Sequence, residues 1–153
     1  MSGSGTSSTH DHQHTHDHGH DHGHRRTMQR HCEVAIIGGS AAGLAAGLQL
    51  ARQRRSVVVV DDVTPRNAPA EHMHGYLGRE GASPAELVAV GREEVRSYGG
   101  EVLTGRVLGA RRLEDGSFHL DLSGGHTLVA RRGVAATGIT DELPQIEGLA
   151  EQW

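Results

Sequence analysis

Two apolar runs flank a glycine turn and a helical pattern between Cys32 and Asp62, and this arrangement limits the chain to few folds. Val34, Ala35, Ile36 and Ile37 form the first run, and Gly38, Gly39 and Gly43 punctuate the segment after it. Val57 to Val60 form the second run, which closes on Asp61 and Asp62. Strand, tight turn, helix and parallel strand in this order make the unit that holds a dinucleotide. A pyrophosphate would lie against the first turn of the helix, where free N–H groups and the positive end of the dipole meet its charge. Side chains would block that approach, and Gly38, Gly39, Ser40, Ala41, Ala42 and Gly43 are all small. Asp61 lies 18 residues after Gly43, near the separation at which an acid accepts from ribose hydroxyls. The plainer alternative is a βαβ unit without ligand, whose glycines serve only close packing. Ser40 replaces the middle glycine of the usual pattern. Its hydroxyl can donate to a phosphate or cap the helix, and the two roles can coexist.

The first thirty residues are expected to form a disordered tail, and 31–153 a single domain. Met1 and Met28 are the only large apolar residues before His31, too few to offset ordering entropy. Within this tail His10, His12, His14, His16, His18, His20, His22 and His24 alternate with other residues, among them Asp11, Asp17 and Asp21. Such a tract can wrap zinc, nickel or copper, because flexible ligands need only converge. A low-complexity leader without a metal role is the alternative. His72 and His74 form a close pair in a loop, where such spacing is commonly incidental.

Other classes are disfavoured. All 15 basic residues are arginine, which removes a lysine-dependent phosphate loop and a Schiff-base lysine. The net charge is −4 with arginine dispersed, so nucleic acid is not an expected partner. No apolar run has membrane-spanning length, and no secretion signal is seen, which makes the cytoplasm the default location. The single cysteine, Cys32, excludes an internal disulfide and reads as a small residue at a strand start rather than a reactive thiol.

Further along, Ala41, Leu44, Ala45, Leu48 and Ala51 predict the inner face of the first helix, with Arg52, Arg54 and Arg55 as its last turn. Val63 to Ala82 reads as loop. Ser83-Pro84-Ala85-Glu86 predicts a capping box, followed by a helix with Leu87, Val88, Gly91, Val95 and Tyr98 inward and Gly99-Gly100 at its end. Val102-Leu103 predicts a third parallel strand. The period then changes to two, giving an antiparallel meander over Arg106–Glu114, Ser117–Leu122 and His126–Ala130, joined at Asp115-Gly116 and Gly124-Gly125. A separate short buried strand, Gly133 to Ala136, is expected next, leading into Thr137-Gly138.

This order, with the segments GGSAAG, VVVVDD and GVAATGITDELPQIEGL, resembles the FAD-binding half of the pyridine nucleotide-disulfide oxidoreductases. Within that family it is most similar to the low-molecular-weight thioredoxin reductases and their relatives. The loop PRNAPAEHMHGYLGREGASPAEL is like that of a bacterial subgroup. The resemblance runs from Glu33 to Trp153 and implies an α/β, Rossmann-like FAD-binding domain, a parallel sheet with helices plus a three-stranded antiparallel meander, incomplete at its C-terminus. It implies that Gly38, Gly39 and Gly43 face the FAD pyrophosphate and Asp61 the ribose. Asp62, Arg66 and Asn67 would lie near the cofactor, the backbone of Val107 would touch adenine, and Thr137 and Gly138 would form the turn passing close to it. Gly75-Tyr76-Leu77-Gly78 departs from the family's asparagine before an aromatic-Pro-Gly step.

The family's redox C-x-x-C and second, NADPH-binding glycine unit are not among these residues, so no catalytic residue is assigned. The expectation is an N-terminal fragment or truncated product. The implied partners are FAD, a divalent metal through the tail and a second copy in a homodimer, with NADPH in the complete family enzyme. A non-catalytic FAD- or NAD-binding module carrying a metal-binding tail is the alternative. An acid in the Asp61 position would favour NAD over NADP.

Overall fold

The computed structural model describes residues 27–64, 70–139 and 142–149. The histidine tract, with His10 to His24, and the pair Arg66 and Asn67 lie outside them. Strand β1 (Gln29–Ile37) leads through the glycine turn into α1 (Ala41–Arg52) and β2 (Val57–Asp61). After the loop come α2 (Pro84–Ser97), β3 (Glu101–Thr104), β4 (Val107–Arg112), β5 (Phe118–Leu122) and β6 (Thr127–Ala135). The strands form one six-stranded sheet in the order β3-β2-β1-β6-β5-β4. β3, β2, β1 and β6 run parallel, while β4, β5 and β6 are antiparallel neighbours. This is the mixed α/β, Rossmann-like sheet that the sequence predicts.

Alternation along β2 builds two apolar layers. Val57 and Val59 join Ile36, Leu44, Ala51 and Val95 beneath the helices, and Val58 and Val60 join Ala35, Leu120, Leu122, Leu128 and Ala130 on the other side. A strand buried on both faces reads as a continuous aliphatic run, as VVVV does here. Both hairpin signals make turns. Gly116 and Gly124 have positive φ, and Asp115 accepts from the Ser117 amide at 2.9 Å and hydroxyl at 2.6 Å, which lowers its pKa.

Several expectations need correction. The separate strand at Gly133–Ala136 does not exist. β6 runs unbroken from Thr127, pairing with β5 as far as Ala130 and with β1 along its length. Exposed Arg131 and Arg132 interrupt the apolar pattern but not the hydrogen-bond ladder, and this made one strand look like two. β1 starts at Gln29, so Gln29 and Arg30, opposite Thr127 and Leu128, belong to the sheet and not to the tail.

On α1 the buried residues are Gly43, Leu44, Gly47 and Ala51, while Ala41 and Ala45 are exposed. The helix lies so close to the sheet that a Cβ on Gly47 would come within 3.0 Å of Val59 Cγ2. Glycine is therefore the inward residue, which apolar periodicity cannot reveal. α1 stops at Arg52, since Arg54 turns to φ 60° and Arg55 leaves to bond Glu33 at 3.2 Å. Ser83 occupies the N-cap position of α2 without a side-chain capping bond, and Tyr98 is 54% exposed beneath the Arg52 guanidinium. The backbone at Ser83 is extended, as the residue before a proline must be.

Cys32 sits half-buried in β1, and burial pushes its thiol up to about 11 from 9.0. It is therefore expected to be protonated at pH 8 and to react with a disulfide reagent about 100-fold more slowly than in the denatured chain. Stopped-flow labelling with and without guanidinium measures this ratio, and equal rates would contradict the assignment. Among the described residues no helix is long and apolar enough to cross a membrane.

Candidate nucleotide-binding cleft

The parallel strands end together at one edge of the sheet, and three chain segments meet there. The first is the glycine turn. Gly38 takes φ +105°, a conformation open to glycine, and its amide donates to the Val60 carbonyl at 2.8 Å. A Cβ on Gly38 would strike the carbonyl of Ala136, so the turn after β1 lies directly against the turn after β6. Ser40 then stands at the N-cap of α1 with no side-chain capping bond. Of its two expected roles, the structure leaves the hydroxyl uncommitted to the cap.

The second segment is the acid pair at the end of β2. Asp61 is buried, at 9% exposure, and its Oδ1 accepts from the Gly39 amide at 3.3 Å. Oδ2 accepts from Arg92 on α2. Asp62 is more open. It accepts from the Thr64 hydroxyl at 2.6 Å and from Arg106 Nη2 at 3.1 Å, and the Thr64 hydroxyl, then the Thr64 amide and Arg106, lower its pKa. The third segment is Ala136-Thr137-Gly138, anchored by the Ala136 amide on the Ile37 carbonyl at 2.8 Å. Gly138 takes φ +71°.

Between these segments lies a cleft of about 920 Å³, large for a small-molecule site. Gly38, Gly39, Ser40, Ala41, Ala42, Asp61, Asp62, Val107, Thr137 and Gly138 all line it. Gly43 does not. It is buried under the turn, where a Cβ would collide with the Gly38 carbonyl and crowd Ile36. Its role is to let helix and turn close on each other.

Sequence reasoning missed Arg92 and Arg106, both in the cleft wall. Arg92 had a legible signal, since it falls four residues after Val88 and three before Val95, on the inward side of α2. His72 and His74 are engaged within their loop, with Nδ1 at 3.1 Å from the Gly81 carbonyl and 2.7 Å from Glu80, respectively.

The sequence profile of the pyridine nucleotide-disulphide oxidoreductases matches residues 32–153. The chain belongs to that family. Its residues correspond to the FAD-binding part of that family's fold, of the thioredoxin reductase-like kind. It is 36% identical over 124 residues to the thioredoxin reductase tcpT of Claviceps purpurea, a match covering 79% of this chain and 39% of that protein. Among solved structures it is similar to HlmI, with 49% identity and a TM-score of 0.75 over 80% of this chain and 39% of the other. An oxidoreductase from Agrobacterium tumefaciens gives 43% identity and a TM-score of 0.74, over 80% and 41%. The chain thus spans about two fifths of the length of these relatives.

Proposed function

We propose that the cleft binds FAD and that the chain supplies the grip on the adenosine diphosphate half of it. Convergence of the glycine turn, the β2 acid and the Thr137-Gly138 turn on one cleft supports this most directly. The first-turn amides of α1 face the pyrophosphate position with no acidic residue in that turn to compete. Asp61 stands where ribose hydroxyls would donate, and Val107 is among the residues that line the same cleft. A plain NAD fold does not call for an antiparallel meander and a glycine turn after β6, which favours FAD over NAD.

When bound, FAD supplies the hydride and electron-transfer chemistry, and the residues here hold and orient it. The larger activity we propose is that of a thioredoxin reductase-like enzyme, in which reducing equivalents pass from NADPH to flavin and on to a disulfide. That activity would need further protein groups, because these residues contain one cysteine and no C-x-x-C. The divalent-metal role of His10 to His24 and a homodimer remain parts of the proposal that rest on sequence alone.

Titration of the purified chain with FAD, followed by flavin fluorescence and calorimetry, tests the site. Saturable binding is expected. Asp61→Ala should weaken it by about 1.5–3 kcal/mol, the range for hydrogen bonds to a charged group. The same substitution strips Gly39 N–H and Arg92 of their acceptor, so the melting temperature should fall as well. Unchanged affinity in a folded Asp61→Ala chain would remove Asp61 from the site.

A further inference from the structure

Arg92 is a charged residue on a helix face whose neighbours Val88 and Val95 pack into the apolar layer beneath the sheet. Its guanidinium reaches the end of β2, where Nη2 donates to Asp61 Oδ2, and the side chain forms part of the cleft wall. An ion pair that merely tied α2 to the sheet would gain most from the two-pronged geometry in which Nε and Nη2 both bond the carboxylate. Here Nε–H is buried with no hydrogen-bond partner among the described residues, and only Nη2 is used. The other pair at the cleft differs. Arg106 puts both Nε and Nη2 on Asp62, at 3.2 and 3.1 Å, with both side chains substantially exposed.

The Asp61 carboxylate is thus fixed from two sides by two different elements. Gly39 N–H holds Oδ1 and Arg92 holds Oδ2. The terminal torsion of an aspartate is otherwise broad, so an unheld carboxylate would sample many planes. A carboxylate offers about four acceptor positions. Two are taken by protein donors, which leaves about two, the number a ribose presents as hydroxyls.

We infer that Arg92 is a positioning residue that locks Asp61 in the plane needed to read the ribose hydroxyls, and so makes the site selective for ribonucleotides over their deoxy forms. The inference rests on the FAD reading of the cleft. In this role Arg92 acts on the ligand through Asp61, so its removal should erase selectivity rather than binding as a whole. A merely structural Arg92 would instead lower affinity for all adenine nucleotides by the same factor.

The test is calorimetric titration of the whole chain with FAD, ADP and 2′-deoxy-ADP. The parent chain is expected to bind ADP about tenfold more tightly than 2′-deoxy-ADP, as befits one hydrogen bond to a charged acceptor. In Arg92→Met, which keeps the aliphatic stem, ADP should weaken and 2′-deoxy-ADP hardly change, bringing the ratio below about threefold. Arg92→Leu, which also carries no donor, has the same expectation and decides the matter if the methionine chain does not fold. Arg92→Lys, retaining a charged donor, should recover part of the ratio. A parent-like ratio in Arg92→Met or Arg92→Leu would overturn the inference while leaving the FAD reading intact. So would a parent chain that binds FAD and ADP yet does not distinguish 2′-deoxy-ADP. A parent chain that binds none of the three would overturn both.

Discussion

Gly43→Val is expected to destabilise the domain by about 3 kcal/mol or more and to abolish nucleotide binding with it. The glycine has no free space beside it. A Cβ there would overlap the carbonyl oxygen of Gly38 and approach Ile36 Cγ2 to 3.3 Å. The first obstacle is backbone, which cannot swing aside as the end of a side chain can. Relief requires α1 to lift from β1 or the glycine turn to open, and either movement dismantles the pyrophosphate site. Thermal melting by circular dichroism, paired with FAD titration, checks both halves. A variant that melts near the parent temperature and still binds FAD would show that the turn is looser than its contacts indicate.

The 153-residue chain supplied with FAD, NADPH and a disulfide substrate is expected to give no NADPH oxidation above a flavin-only blank. Relay of electrons to a disulfide needs a nearby thiol pair, and the one thiol present is held protonated by burial in β1. Hydride transfer also needs the nicotinamide held against the flavin, and effective molarities of that kind do not arise between free cofactors in solution. Absorbance at the NADPH band over an hour is a sufficient measurement. Clear turnover would mean that these residues assemble a complete catalytic site, alone or as paired copies.

Most of the βαβ unit was legible because local and global signals agree there. VVVV is long, β-branched and closed by acids, and a glycine turn between such a strand and a helix suits little besides a phosphate or a close backbone approach. Seven of the ten expected cofactor residues that line the cleft lie in this unit, while Val107, Thr137 and Gly138 were expected from the family resemblance. Legibility failed where the determinant was a residue across space. Nothing within α1 marks Gly43 and Gly47 as its inward face, since what excludes a side chain is the nearness of Val59 and the Gly38 carbonyl. The arginine pair in β6 breaks an apolar pattern while the ladder to β1 continues underneath. Asp61, expected at the ribose, lines the cleft, but its clamp by Arg92 joins positions 31 residues apart and lies beyond any local window.

The place of β6 in the sheet has a consequence for how the chain reaches its native state. β2 pairs with β1 after one short helical crossover, but the opposite edge of β1 waits for residues about a hundred positions later, as the Gln29–Thr127 pairing shows. At ribosomal rates of roughly 5–20 residues per second, that edge stays unpaired for about 5–20 s after β1 emerges. The exposed rim carries Ala35, Ile36 and Ile37, an aliphatic stretch of the kind that templates pairing with other chains. Parallel pairing at such separation is also slow to close, because chain entropy is lost before contacts repay it. Aggregation in this protein should therefore begin at the newly made rim of β1, with β6 as the native strand that shuts it off.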